Sequence, residues 1–229
     1  MDRIAGAAAL EVKICGVTRP ADAALVGGAG ADYMGVILSP GFPRSLSLDA
    51  AEEVVQATGA KRVGVMVDPE PGWAVEAALR LGLDVVQLHG DESVEDTRII
   101  GAAGAWAVWK VFRVARLDDL RTLGDFAGAV EGVHVDARHR GGKRGGGTGR
   151  TFDWAGVGHE VRRRAPTARF IAAGGLTPEN VCSAARVLGP DVVDVSSGVE
   201  ASVGRKDPGR VEAFIRAVAQ CTAAPGGSR

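Results

Sequence analysis

Eight short β-branched runs alternate with helix-patterned segments along the 229-residue chain. This alternation predicts an α/β fold with a parallel sheet, and eight units fit a closed, single-domain (β/α)8 TIM barrel better than an open sheet. No proline- or serine-rich linker divides the chain into two domains. We therefore expect a short N-terminal extension over residues 1–10, the barrel over 11–219 and a flexible tail over 220–229.

The predicted strands share a high content of β-branched residues, which favour extended backbone. In chain order they are EVKIC, DYMGVIL, RVGVMV, DVVQLH, AVWKVF, VEGVHVD, RFIAA and DVVDVS. Between them, residues 50–55 and 74–79 have the apolar spacing of helices. Thr177-Pro178 and Asp207-Pro208 each predict a helix start, because a capping side chain precedes a first-turn proline. Glycine is expected to end helices in LRLGLD and RVLGPD.

Composition limits the class of protein. Hydrophobic residues make up 46% and charged residues 24%, which is typical of a globular chain, and a net charge of -1 gives no general attraction to nucleic acid. Cys15, Cys182 and Cys221 lie far apart without CxxC spacing, which predicts free thiols rather than a disulfide or a zinc site. Without a signal peptide or a membrane-length apolar run, the expected location is the cytoplasm.

Four predicted strands place polar side chains on one face near their C-terminal ends, where barrels carry their chemistry. The pairs that share a face are Lys13 with Cys15, Gln87 with His89, His134 with Asp136, and Asp194 with Ser196. The residue between the members of each pair is apolar and is expected to pack outward against helices; these residues are Ile14, Leu88, Val135 and Val195. Such a cluster of polar groups predicts a binding or catalytic site in the mouth of the barrel.

Two turns near the C-terminus predict a site for a phosphorylated ligand. AAGGLTPEN and DVSSGVE each follow a strand with small residues, and the loops after strands seven and eight often bind phosphate in barrels. Glycine permits close backbone approach, and helix N-termini attract anions. The candidate phosphate-binding residues are Gly174, Gly175, Ser197 and Gly198. A Gly-Gly turn alone is more often only a tight turn, so the prediction of a phosphate site depends on the presence of both turns.

Several segments, taken in order over residues 11–218, resemble the phosphoribosylanthranilate isomerase family of tryptophan biosynthesis. They are VKICGVT, ADYMGVIL, VVQLHGDE, GGTGRTFDW, AAGGLTPENV and VDVSSGVE with GRKD after it. The resemblance implies an Amadori rearrangement of N-(5-phosphoribosyl)anthranilate, without cofactor or metal. It also implies a small phosphorylated substrate, no nucleic-acid or membrane partner, and a monomer or homodimer.

The resemblance assigns the general base to Cys15 and the general acid to Asp136. Lys13, on the same strand face, is expected to lower the pKa of Cys15 below the usual value of about 8.5. Burial beside an anionic ligand is expected to raise the pKa of Asp136, so that it has a proton to give. Without the family match, Cys15 would more often be a small buried residue, and Asp136 a helix cap.

Further residues are candidates for substrate binding. Arg44 matches the family arginine that faces the anthranilate carboxylate, although Gly41-Phe42-Pro43 replaces the usual serine- or lysine-containing run before it. Lys13, Gln87, His89 and Asp194 complete the predicted substrate-binding set; for His89 and Asp194 a purely structural role is equally open. His134 lies deeper on its strand, and we expect a structural role for it.

The glycine-rich basic segment after the sixth predicted strand permits two interpretations. Gly147, Thr148 and Gly149 match the family turn before TFDW and are expected over the phosphate. Residues 137–146 are longer and more basic than the family norm, which favours a lid that attracts an anionic substrate. Surplus arginines on a flexible loop can also be merely solvated.

Other functions predict different residues. A histidine-pathway isomerase would carry an acid at the end of strand one, where this chain has Cys15, and a pentose-phosphate epimerase would need metal-ligating histidines at several strand ends. An RNA-binding protein would be strongly basic, with aromatic residues among the arginines. Residues 137–151 contain no Phe, Trp or Tyr. A catalytically inactive barrel would most simply lack Cys15 or Asp136.

Overall fold

Eight parallel strands hydrogen-bond in chain order and close into a barrel, with the last strand pairing with the first. The computed structural model describes residues 9–137 and 154–223. The strands are β1 (Glu11–Ile14), β2 (Tyr33–Ile37), β3 (Lys61–Met66), β4 (Val85–Leu88), β5 (Ala107–Val114), β6 (Gly132–Ala137), β7 (Arg169–Ala173) and β8 (Val192–Val195). Each predicted strand is present, so the predicted barrel is confirmed.

Seven α-helices of the described residues pack around the barrel. They are α1 (Pro20–Gly28), α2 (Leu48–Gln56), α3 (Pro71–Leu81), α4 (Val94–Ala102), α5 (Trp154–Arg164), α6 (Val181–Leu188) and α7 (Pro208–Ala223). Gly82 and Gly189 end α3 and α6 in the left-handed conformation, as the sequence predicts. Within residues 9–137 and 154–223, no helix is long and apolar enough to span a membrane.

The connection between β5 and β6 departs from the expected strand–helix alternation. Two short 3₁₀ helices, Leu117–Leu120 and Leu123–Phe126, stand where an α-helix was expected. Leu120, Leu123 and Phe126 are buried at intervals of three residues, which matches the three residues per turn of a 3₁₀ helix. A segment this short thus covers the barrel without forming an α-helix.

Two helix boundaries differ from the sequence-based expectation. Helix α6 begins at Val181 rather than at Pro178, because residues 177–180 form a turn in which Thr177 N donates to Asn180 Oδ1. Helix α7 begins at Pro208 as predicted, with Asp207 Oδ1 accepting from Arg210 N, but it continues to Ala223. The expected boundary between barrel and tail at residue 219 therefore falls inside a helix.

A second small sheet follows the barrel. After β8, a 3₁₀ helix (Ser197–Val199) leads into an antiparallel hairpin of β9 (Glu200–Ser202) and β10 (Arg205–Lys206). Asp207 N donates to Val199 O, so the hairpin returns the chain to the start of α7 close to the end of β8. The hairpin therefore lies at the end of the barrel where the functional residues are predicted.

The core has two layers, as alternation along the strands requires. Side chains inside the barrel form one buried cluster of Cys15, Tyr33, Val63, Val65, Val85, Trp109, Ile171 and Val192. The predicted outward residues Ile14, Leu88, Val135 and Val195 belong to the larger cluster between barrel and helices. Trp109, only 1% exposed, packs against Tyr33 with 4.9 Å between ring centroids.

The prediction of three free thiols is wrong for two of them. Cys182 on α6 and Cys221 on α7 form a disulfide, whereas Cys15 is a free, buried thiol. The two helices are neighbours around the barrel and bring the Cα atoms to 5.3 Å, a separation that suits a disulfide. The pairing joins residues 39 positions apart, so spacing in the sequence does not reveal it.

Gly132→Ala is expected to destabilise the barrel. A Cβ at Gly132 would overlap the indole ring of Trp109, which has no room to move inside the barrel. Overpacking of this kind costs about 1–3 kcal/mol, which denaturant unfolding can measure. Gly28→Ala is the control, because Gly28 is exposed at the end of α1 and nothing lies within 4 Å of the added methyl group. Equal unfolding free energies for both variants would contradict the steric argument.

Candidate active site

A cavity of about 250 Å³ opens at the C-terminal ends of the strands. Most of the predicted site residues line it; these are Cys15, Gln87, His89, Asp136, Gly174, Gly175, Asp194, Ser197 and Gly198, together with His134. A larger cavity of about 670 Å³ lies between the start of α4 and the 3₁₀ helices. None of the predicted residues that the structure describes lines that larger cavity, so the smaller one is the candidate active site.

A buried ion pair lies beneath the cavity. Lys13 Nζ on β1 donates to Asp194 Oδ2 on β8 over 2.8 Å, and His134 Nε2 lies 2.8 Å from the same oxygen. Burial alone would raise the pKa of Asp194, but the charge of Lys13 and the hydrogen bonds outweigh it and lower the pKa to about 2. Asp194 is therefore ionised and Lys13 is its counter-ion.

Cys15 lies at the end of β1 and is 9% exposed. Burial raises the pKa of its thiol; Lys13 lowers it, but the nearby charge of Asp194 opposes Lys13. The expected lowering of the Cys15 pKa is therefore wrong for the protein alone. The main reason is the burial of the thiol, and the charge of Asp194, the partner of Lys13, offsets part of the lowering by Lys13.

Asp136 lies at the end of β6, with its Oδ2 3.7 Å from His89 Nε2. His89 lowers the pKa of this carboxyl, and His134 adds to the effect, against an opposing contribution from burial. The pKa of Asp136 is thus lowered in the protein alone, whereas we expected it to be raised beside an anionic ligand. The negative charge of Asp194 raises the pKa of Asp136, but His89 and His134 lower it by more.

Three buried polar atoms on the cavity wall lack a hydrogen-bond partner among the described residues. They are Gln87 Oε1, His134 Nδ1 and Asp194 Oδ1. Because the ionised Asp194 can only accept, the hydrogen between it and His134 is on Nε2, and burial lowers the pKa of His134 and keeps it neutral. His134 Nδ1 is then an acceptor as well. The cavity therefore presents three acceptors, which suit a ligand with several hydroxyl groups.

The loops after β7 and β8 form another side of the cavity. Gly174 and Gly175 have φ of 105° and 66°, a region that favours glycine. A Cβ at Gly198 would overlap the carbonyl oxygen of Leu176, so only glycine lets these two loops approach so closely. The predicted phosphate-binding residues Gly174, Gly175, Ser197 and Gly198 are thus brought together. Gly147, Thr148 and Gly149, and the basic segment apart from Ala137, lie outside the described residues.

Arg44 lies at the edge of this site and already faces a carboxylate of the protein. Its Nε and Nη2 each donate to Glu200 over 2.7 Å, and Lys206 Nζ lies 3.1 Å from Glu200 Oε1. Lys206 Nζ also donates to Cys15 O over 2.7 Å. Glu200 and Lys206 belong to the motifs GVE and GRKD, but the sequence alone predicts no role for them, because their contacts join the hairpin to residues after β1, β2 and β8.

Comparison with known proteins agrees with this geometry. Residues 12–217 match the family model described as N-(5'phosphoribosyl)anthranilate (PRA) isomerase. An N-(5'-phosphoribosyl)anthranilate isomerase of Rhodopseudomonas palustris (strain BisB18) is 40% identical over 213 residues, which cover 91% of this chain and 95% of the relative. The crystal structure of phosphoribosyl anthranilate isomerase from Thermotoga maritima has a TM-score of 0.80 at 34% identity, covering 92% of this chain and 99% of its own.

A further solved structure contains a bound ligand. It is a phosphoribosyl anthranilate isomerase in complex with reduced 1-(o-carboxyphenylamino)-1-deoxyribulose 5-phosphate, with a TM-score of 0.79, 33% identity and coverage of 92% and 99% of the two chains. That ligand carries a phosphate, a polyol chain and an aromatic carboxylate. The family match covers nearly the whole chain, and the chain belongs to the N-(5'-phosphoribosyl)anthranilate isomerase family.

Proposed function

We propose that this protein catalyses the Amadori rearrangement of N-(5-phosphoribosyl)anthranilate to 1-(2-carboxyphenylamino)-1-deoxyribulose 5-phosphate in tryptophan biosynthesis, with Asp136 as general acid and Cys15 as general base. The observation that carries the proposal is the position of a free thiol and a carboxylate on one cavity, in a chain of this family. The glycine loops after β7 and β8 lie on the same cavity and suit the substrate phosphate.

The acid step opens the sugar ring. Asp136 protonates the furanose oxygen, the bond from that oxygen to the anomeric carbon breaks, and the anilinic nitrogen becomes a cationic iminium. The neighbouring residues lower the pKa of Asp136, so the bound substrate must raise it for the carboxyl group to carry a proton. The substrate phosphate and carboxylate bring negative charge, and negative charge raises the pKa of a neighbouring carboxyl group.

The base step follows from the charge that the first step creates. Cys15 takes the proton from the ribose carbon next to the iminium, and the enolamine that forms tautomerises to the ketone. Burial raises the pKa of the Cys15 thiol, which opposes thiolate formation in the protein alone. The cationic iminium lowers the pKa of a neighbouring thiol, so the base becomes effective only after the ring has opened.

The remaining groups of the site are assigned to binding. Gln87 Oε1 and Asp194 Oδ1 are unpartnered acceptors among the described residues and suit the ribose hydroxyls. Lys13 keeps Asp194 ionised, and His89 contacts the substrate beside Asp136. Arg44 suits the anthranilate carboxylate. The roles of Gly147, Thr148, Gly149 and the segment 137–146, the cytoplasmic location, and the choice between monomer and homodimer stay predictions.

Cys15→Ala and Asp136→Asn are each expected to lower kcat by about 10²–10⁴-fold, because each removes one proton-transfer group. The loss of fluorescence of freshly generated phosphoribosylanthranilate measures turnover. Asp125→Asn is the matched control, since Asp125 is exposed and does not line the cavity. Full turnover in both site variants would refute the mechanism. Failure of the wild-type protein to complement a tryptophan auxotroph that lacks this step would refute the function itself.

Asp194→Asn is expected to destabilise the protein at neutral pH by about 3–5 kcal/mol, because Lys13 loses its buried counter-ion. The pH dependence has a definite sign. The pKa of Asp194 is about 2 in the folded chain, against about 3.9 when unfolded. Its stabilisation is therefore complete above pH 4–5, roughly, and is lost as the pH falls towards 2. Denaturant unfolding between these pH values should show that the free energy of unfolding falls less with decreasing pH in Asp194→Asn than in the wild type. Parallel plots of this free energy against pH would contradict the ion pair between Lys13 and Asp194.

A further inference from the structure

A cluster of three charged residues lies beside the candidate active site and neither gives nor takes a proton in the steps proposed above. Glu200, at the start of β9, accepts from Arg44 and from Lys206. Glu200 is 7% and Lys206 2% exposed, whereas the side chain of Arg44 retains 17% exposure. The cluster is therefore anchored in the protein at Glu200 and Lys206 and open at Arg44.

Arg44 lies next to the reactive end of β1. A Cβ at Gly16, the residue after Cys15, would lie 2.5 Å from Arg44 Cδ and 3.0 Å from Ser196 Oγ. Cys15 and Ser196 both line the cavity, so the arginine side chain runs along its edge. Arg44 also has a φ of 72°, an unusual backbone conformation for a residue with a side chain. Such a conformation persists where the surroundings hold the residue in place.

Glu200 occupies one side of the guanidinium group and leaves another side available. A guanidinium has five N–H donors, and Glu200 takes the one on Nε and one on Nη2. Among the described residues, no acceptor bonds to Nη1. One donor of Nη1 and the second donor of Nη2 form a planar fork that fits another carboxylate. The net charge of the cluster is +1, from two cations and one anion, which also favours binding of an anion.

We propose that Glu200 is a positioning residue for Arg44, held in turn by Lys206, and that it sets the preference for a sugar phosphate whose aromatic amine carries a carboxylate. The inference rests on the proposed function and assigns part of its substrate recognition. Without Glu200, the side chain of Arg44 would lose the contact that fixes the plane of its guanidinium group. Binding of the substrate carboxylate would then have to restrict the motion of this side chain, which weakens binding. Lys206 bonds to Cys15 O and Ser196 O as well, so it ties Glu200 to the cavity edge.

The test compares two substrates, phosphoribosylanthranilate and N-(5-phosphoribosyl)aniline, which lacks the carboxylate. Glu200→Gln is expected to raise KM for the first by roughly 10- to 100-fold with little change in kcat, because a bond to a charged group is lost. KM for the aniline compound, or its inhibition constant if it does not react, should stay unchanged. In an Arg44→Gln background, Glu200→Gln should have no further effect on the ratio of the two constants.

Two further variants separate positioning from a structural role. Glu11→Gln is the matched control, because it also breaks a Glu–Arg pair, with Arg169 at the opposite end of the barrel, and should leave both constants unchanged. Glu200→Asp keeps the charge that Lys206 needs and should shift the ratio in the same direction as Glu200→Gln, even if the latter does not fold. An equal effect on both substrates, or an unchanged ratio in both Glu200 variants, would overturn the proposal. A wild-type protein inactive towards phosphoribosylanthranilate would instead refute the proposed function.

Discussion

The buried ion pair between Lys13 and Asp194 is the interaction on which the site depends. The two residues are direct partners in the pairing of β1 with β8, the seam where the barrel closes. They are separated by 181 positions in the chain, so the charge of each is balanced only after the whole barrel has formed. Leaving either charge unpaired inside the barrel would cost several kcal/mol, which links closure of the fold to formation of the polar layer beneath the cavity.

The same pair determines the state of the neighbouring groups. Asp194 uses one oxygen for Lys13 and His134 and leaves the other on the cavity wall without a partner among the described residues. Lys13 cannot act on Cys15 as an isolated cation, and burial raises the pKa of that thiol. In the protein alone, Asp136 is therefore ionised and the Cys15 thiol is protonated, which is the reverse of what the two proton transfers need. Charges that appear with the substrate and during ring opening are needed to reverse these protonation states.

Much of the fold and of the site could be predicted, because strand alternation is a local property. Period-two spacing places Lys13 with Cys15 and His134 with Asp136 on the inner face, and the structure agrees. Tertiary contacts could not be predicted in this way. The disulfide of Cys182 joins two helices that are distant in sequence, and the pKa of Asp136 depends on a histidine from another strand.

The residues that react and the residues that recognise the substrate carboxylate are supported by different parts of the chain. Asp136 is paired with both strands next to β6, and Cys15, directly after β1, donates its backbone N–H to Val195 O, so backbone contacts restrict the movement of both residues. Arg44 lies on a loop and depends on Glu200 and Lys206, which belong to the hairpin added after the last barrel strand. Because the hairpin is outside the barrel, its contacts can change without altering strand register. Substrate preference can therefore vary with the hairpin while Asp136 keeps its place on β6, although Lys206 also joins the hairpin to Cys15 O.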